Sequence, residues 1–355
     1  MHKHQAKLDL AYGTIYFPTL RFTLRCQLQT TSQTTTSTIP THISMATLSE
    51  NEALKQALLD YHERDEYFTD TDPERFEIFF KAFPEVFPKD SESATKLPPL
   101  RPGCNHKVEF IENTTTDFTI PNIRTPEKFM KNYRDFIDRW LAAGICAPAE
   151  AVAACPMWAI PKPGKPDEPR FVTDLRKQNK ITNDERQPLI NQELMRETAA
   201  RANYVTKFDM KDSYFQTRVE EAYEDNNTIN TPFGIFKVRV MLMGDKRSPA
   251  TLTRAMMNVF CEYIGKFIWI YLDDIIIFSD TLEEHVRHVA TVLDLLDRYE
   301  YHLNPKKCQF LCKSFELLGH VINTSRNEIR PLPDRIQSVS NLPKPTTVNR
   351  LRKFL

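Results

Sequence analysis

Residues 267–279, Phe-Ile-Trp-Ile-Tyr-Leu-Asp-Asp-Ile-Ile-Ile-Phe-Ser, set two adjacent carboxylates, Asp273 and Asp274, between two runs of large apolar residues. Each run has the length and the β-branched or aromatic content of a buried strand, so the acids fall at the turn of a hairpin whose arms enter a core. No Lys or Arg lies between Lys266 and Arg287, and like charges held against an apolar surface repel and resist desolvation. The pair is therefore expected to be neutralised from outside the chain. A hard divalent cation such as magnesium, which takes carboxylate oxygens together with substrate phosphates, suits it. An exposed Asp-Asp turn is the plainer alternative, and this stretch alone does not choose between them. A calcium loop is excluded, because residues 275–277 are all isoleucine and offer no side-chain oxygen.

A second strand-like run, residues 204–209, ends in Asp209 and is followed by Tyr214. Three carboxylates can hold two metal ions, and such a pair clamps the attacking and leaving oxygens of an in-line phosphoryl displacement. Tyr271-Leu272-Asp273-Asp274 resembles motif C of reverse transcriptases, and Phe208-Asp209-Met210-Lys211-Asp212-Ser213-Tyr214 resembles motif A. Their order and spacing resemble the polymerase of Ty3/gypsy-type long-terminal-repeat retrotransposons, a likeness that runs over residues 97–355.

A chain of 355 residues can bury a full core and has room for two or three domains. Its 47 Lys plus Arg equal its 47 Asp plus Glu, so any surface attractive to nucleic acid must be local. The seven cysteines are scattered, without a Cys-x-x-Cys pair, which predicts reduced thiols and an intracellular, cytoplasmic setting. Cys308 and Cys312 with His302 or His320 lack the spacing of a zinc site and read as ordinary thiols. No apolar run approaches a membrane span, which predicts a soluble chain with no membrane partner. Nothing in the patterning bears on oligomeric state.

Residues 1–44 run into a Thr/Ser/Gln tract over 29–38, too polar to bury a core, and are expected to be disordered. Residues 45–96 are expected to be a helical extension. Within it, Asp72 and Pro73 open a helix whose apolar face is Phe76, Phe79, Phe80 and Phe83. The proline-rich stretch 97–103 must be extended, and an alternating strand is expected over 106–111. His106 reads as a structural histidine, since no acid or cysteine cluster accompanies it in sequence. Thr125-Pro126 opens a helix with Phe129, Tyr133, Ile137 and Trp140 inward, Asn191 caps another, Ser248-Pro249 starts a third, and Thr281 with Glu284 caps a fourth.

The resemblance implies an α+β fold, an antiparallel palm sheet backed by helices together with fingers, over residues 97–322, followed by the start of a truncated thumb over 323–355. It implies RNA-directed DNA polymerase activity with two magnesium ions, or manganese in their place, held by Asp209, Asp273 and Asp274. The implied partners are a primed RNA or DNA template and deoxynucleoside triphosphates, and within a full element the chain would sit in a virus-like particle. Two strands joined by a basic Pro/Gly turn, 157–166 and 170–176, look like the fingers hairpin. There Lys162 and Arg170 match the cations that grip the triphosphate, a task suited to mobile or forked cations. Tyr214 matches the aromatic steric gate against a ribose 2′-hydroxyl, with an inert core tyrosine as the rival reading. Met243 and Gly244 match the substrate side of motif B, where a glycine lets backbone approach the new base pair. Arg176, Asn179, Tyr271, Gly319 and His320 match template and primer contacts. Lys307 in motif D matches the proton donor to pyrophosphate, although the adjacent Lys306 is not separable from it. Motif B departs from the common gypsy pattern Pro-Phe-Gly-Leu-Lys-Asn-Ala-Pro, carrying Asp245 where an apolar residue follows the glycine and Leu242 where the proline stands. That departure keeps a second reading open, a catalytically impaired nucleic-acid-binding remnant of a truncated or domesticated element.

Overall fold

The computed structural model of the chain describes residues 49–62, 68, 73–88, 96–116, 124–340 apart from 152 and 189, 346–348 and 352, with three short strands nearer the N-terminus. Tyr204–Asp209, Ile268–Tyr271 and Asp274–Ser279 form a three-stranded antiparallel sheet with Asp274–Ser279 in the middle. Successive side chains on a strand point to opposite faces. Phe208, Ile275 and Ile277 therefore enter one large core, while Val205 and Ile276 enter a smaller one on the other side. Helices Ser248–Phe260 and Leu282–Arg298 close the large core with Leu252, Met256, Val289 and Leu293. This is the expected palm, an antiparallel sheet backed by helices.

The segment ahead of it joins the same core. Ser49 caps helix Glu50–Leu59 through a complete capping box with Glu52, and Leu54, Ala57, Leu58 and Tyr61 pack together with the palm residues. The single helix expected from Asp72 is instead a 3-10 turn, Pro73–Glu77, followed by a short helix, Ile78–Ala82. Its phenylalanines still point inward, Phe79 stacking on Phe310 with ring centroids 5.9 Å apart. Within the stretch expected to be disordered, Lys7–Asp9, Thr14–Phe17 and Phe22–Arg25 pair as an antiparallel meander. The Thr/Ser/Gln tract itself lies outside the described residues.

The fingers sheet has five strands in the order Cys146–Pro148, Gly234–Val238, Thr228–Thr231, Cys155–Lys162 and Lys165–Thr173. Only Cys155–Lys162 against Thr228–Thr231 is parallel. Helix Met130–Ala142 packs on this sheet through Tyr133, Ile137 and Trp140. The strand expected over 106–111 does not form. His106 and Phe110 make single bridges to Val219 and Thr182, because the two ends of the stretch meet different segments and no continuous ladder can build.

A third sheet, Ser314–Leu317, His320–Asn323 and Glu328–Pro331, packs Phe315, Leu317 and Ile322 with helix Gln192–Arg201 over the second face of the palm. Asn191 caps that helix, accepting from the amides of Glu193 and Leu194. These elements cover Val205 and Ile276 more fully than the far end of the same face, where Asp209 and Asp274 stand partly buried. Among the described residues no helix is long and apolar enough to cross a membrane.

Candidate active site

Asp209 and Asp274 are direct partners in the palm register. Side chains directly opposite across antiparallel strands share one face, with Cβ atoms about 5 Å apart. Asp273 occupies the two-residue turn between Tyr271 and Asp274, and its carbonyl accepts from the Met210 amide at 3.0 Å. The other turn residue, Leu272, has φ +56°, a conformation costing an L-residue roughly 1–2 kcal/mol. Packing of Leu272 against the large core holds it there.

The acids are not neutralised from outside the chain alone, which corrects the expectation drawn from the absence of local cations. Lys207, two residues before Asp209 on the same face, places Nζ 2.9 Å from Asp274 Oδ1, and its ammonium also donates to the Glu316 carbonyl at 2.9 Å. Lys307 places Nζ 3.1 Å from Asp209 Oδ1. Both cations arrive from elements distant in sequence from residues 267–279. Burial pushes the Asp274 carboxyl above the usual carboxylate range against the pull of Lys207, and the charges of Asp273 and Asp209 add to the rise. Asp273 is exposed, and no ion pair reaches it among the described residues.

Carboxylate oxygens are the donors hard divalent cations prefer, so Asp209 and Asp274 fit such an ion, with the two ammoniums marking where positive charge is favoured. The expected three-acid set is not gathered: among the described residues no group of three His, Cys, Asp or Glu side chains could hold a metal ion. Asp273 is nevertheless close enough for its charge to act on both Asp274 and Tyr214. The Tyr214 phenol is raised by burial first and by Asp273 second. Beside Asp209 lies a cleft of about 570 Å³ lined by Lys207, Lys306, Lys307, Gln309 and Phe315.

A protein-family model described as "Reverse transcriptase (RNA-dependent DNA polymerase)" matches residues 160–322. The chain is 30% identical over 258 residues to the retrovirus-related Pol polyprotein from transposon 297 of Drosophila melanogaster, covering 70% of this chain and 24% of that protein. It is 27% identical over 258 residues to the corresponding polyprotein from transposon gypsy of the same fly, covering 68% and 25%. Residues 160–322 are a reverse transcriptase domain, similar to those of gypsy-type retrotransposon polyproteins. The chain spans about a quarter of the length of these relatives. Its fold is also that of the foamy viral protease-reverse transcriptase solved with double-stranded DNA, at TM-score 0.66 and 16% identity, over 90% of this chain and 53% of that one.

The reverse transcriptase domain distributes the other expected site residues unevenly. Lys162 and Arg170 are exposed on the fingers hairpin, one on each strand, and Lys162 pairs with Glu168 at 3.1 Å. Trp158 and Ile160, which motif reading passed over, stand exposed on the side of Arg170, the register partner of Ile160. Arg176 is held in a two-pronged pair with Asp174, at 2.8 and 2.7 Å. Asn179 braces motif B instead of reaching outward, donating to the Gly244 carbonyl at 2.8 Å and accepting from the Lys246 amide at 3.0 Å. Met243 is exposed beside Gly244, whose φ of +94° is what requires glycine there. Tyr271 shares the face of Asp274 and accepts from Gln192 Nε2 at 2.9 Å. Leu318 and Gly319, both at positive φ, form the tight turn before His320, and the Arg335 guanidinium lies over Gly319.

In motif B one expectation holds and one changes. Ser248 and Pro249 start the helix, with Arg247 as its cap residue, and the Ser248 hydroxyl donates to the Leu242 carbonyl. His106 does have an acid beside it, Asp245, at 3.6 Å. Sequence adjacency hid that partner, and the one signal pointing to it was an acid in a position the family usually fills with an apolar residue.

Proposed function

We propose that this chain is an RNA-directed DNA polymerase, extending a primer on an RNA or DNA template with deoxynucleoside triphosphates. The observation that carries the reading is the in-register Asp209 and Asp274 pair on the palm face beside the cleft, on a chain with a reverse transcriptase domain. Asp209 and Asp274 would hold divalent magnesium, and the turn residue Asp273, not gathered with them here, would complete the set in the two-ion form of the proposal. When bound, such ions neutralise the charge that develops on the attacking and leaving oxygens.

The protein's own groups divide the remaining work. Lys162 and Arg170, one on each arm of an exposed hairpin, grip the triphosphate and follow charge onto the pyrophosphate. Tyr214, half-buried beside Asp273, packs where a 2′-hydroxyl would lie. Lys307, on the mouth of the cleft, releases Asp209 and supplies a proton to the departing pyrophosphate. The fold likeness to an enzyme solved with double-stranded DNA supports a duplex partner for the palm.

Primer extension on oligonucleotide templates, with magnesium and with chelator, tests the reading. Extension by the wild-type chain and none by Asp209→Asn is expected. Template binding without synthesis by the wild type would favour the impaired remnant, and undiminished extension by Asp209→Asn would end the assignment of the site.

A further inference from the structure

A carboxylate in a protein interior is costly unless its oxygens are satisfied, and Asp245 is 3% exposed. It stands directly after Gly244, and every group around it belongs to the entry of motif B or to what packs on it. Its Oδ1 accepts from the Arg247 amide at 2.8 Å. Its Oδ2 lies 3.3 Å from Gln178 Nε2, on the helix Arg176–Ile181. His106 Nε2 is 3.6 Å from the same oxygen, a close neighbour beyond hydrogen-bond distance. Both partners are buried, Gln178 at 1% and His106 at 0%. Burial acts to raise the Asp245 carboxyl, and the contacts with His106, the Arg247 amide and Gln178 outweigh it, holding it below the usual carboxylate range.

The network continues on each side. His106 Nδ1 is 3.0 Å from Thr251 Oγ1 on the motif B helix, and Gln178 Oε1 accepts from the Cys155 thiol of the fingers sheet at 3.3 Å. Asn179, next to Gln178, holds the Gly244 carbonyl and the Lys246 amide. Arg247 is pinned by Glu109 at 3.0 Å and by Glu185 at 3.2 Å. The loop 243–247 is thus tied to the fingers helix and to the stretch before the fingers, and the Asp245 side chain meets both, together with the amide of Arg247, the cap residue of the motif B helix.

We infer that Asp245 is a positioning residue for nucleotide binding: by fixing the loop that carries Met243 and Gly244, it sets the surface on which the incoming nucleotide is received. The inference rests on the polymerase reading for what the loop binds, and on the geometry alone for what holds it. Asp245 touches no reacting atom, so its loss should weaken nucleotide binding more than the chemical step.

Asp245→Leu restores the apolar residue of the common family pattern but leaves Gln178 and the Arg247 amide without their acceptor and His106 without its neighbouring charge. Its KM for deoxynucleotide should rise about tenfold with kcat within about threefold, the effect of losing a charge-assisted contact that organises a site. Asp245→Asn keeps the shape but offers one acceptor oxygen where two donors point, and should raise KM about threefold. Amide hydrogen exchange over 243–247 should quicken in both variants, with thermal melting confirming a folded protein. If Asp245→Leu does not fold, Asp245→Asn decides. A folded variant with wild-type KM and wild-type loop exchange overturns the proposal, and so does one that loses kcat at unchanged KM. A wild-type chain that extends no primer overturns the polymerase reading, and the exchange data then judge the loop on their own.

Discussion

Asp209 and Asp274 face each other across neighbouring antiparallel strands, and each carries the ammonium of a lysine from outside the motif C hairpin, Lys307 on the first and Lys207 on the second. The site therefore holds its own counter-charges. Any divalent cation that binds these acids competes with two lysines.

Lys207 is the more enclosed competitor, its side chain 18% exposed. Lys207→Met keeps the stem and removes the charge. The magnesium concentration for half-maximal extension should fall about threefold, in keeping with a partly exposed ion pair worth ~0.5–1 kcal/mol. A magnesium titration of primer extension reads this directly, and an unchanged or raised requirement would assign Lys207 to holding the Glu316 hairpin instead.

Lys306 and Lys307 are adjacent, but only Lys307 reaches Asp209. Lys307→Ala should lower kcat about tenfold or more if it delivers the proton, within the usual range for general acids, while Lys306→Ala should change it little. Single-turnover incorporation measured across pH separates the two. Equal effects of both substitutions would mean that a general positive charge at the cleft, not proton delivery, is what matters.

Tyr214 packs against the large core while feeling the charge of Asp273. Tyr214→Val shortens the ring and should raise the efficiency of ribonucleotide use about tenfold relative to deoxynucleotide, by removing a clash. Competing incorporation of the two sugars is the measurement. A variant that polymerises with unchanged sugar discrimination would return Tyr214 to a packing role.

His285, on the helix Leu282–Arg298, is buried against the palm sheet, with Nε2 2.7 Å from Thr206 Oγ1 and Nδ1 3.0 Å from Ser279 Oγ. Burial, with a smaller push from His288, holds its pKa down to about 3, against an ordinary 6.5. Below that ordinary value the unfolded chain takes up a proton that the folded one refuses, so stability falls as pH drops from 6.5 towards 3. The slope from this one group approaches about 1.4 kcal/mol per pH unit. Urea unfolding at several pH values should show the wild type losing stability faster than His285→Gln, whose amide bonds without titrating. Parallel losses would place the acid sensitivity elsewhere.

The sequence by itself determined the local pieces and their kind. Apolar alternation over residues 267–279 and 204–209 specified strands, the Asn191 and Thr281 caps specified helix starts, and the acids at the ends of those strands specified where chemistry could occur. Each of these signals lies within a few residues, the range over which backbone geometry and side-chain periodicity act. The tertiary structure alone decided the partners. It brought Lys207 across to Asp274, Lys307 back to Asp209 and His106 to Asp245, and it packed Leu54, Phe76 and Phe79 into the palm core. An ion pair or a core contact depends on which faces of distant elements meet, and that is set by sheet register and helix packing, not by neighbours along the chain. The counter-charge of Asp274 comes from the next strand of the sheet and that of Asp209 from the loop beyond it, so neither shows along residues 267–279.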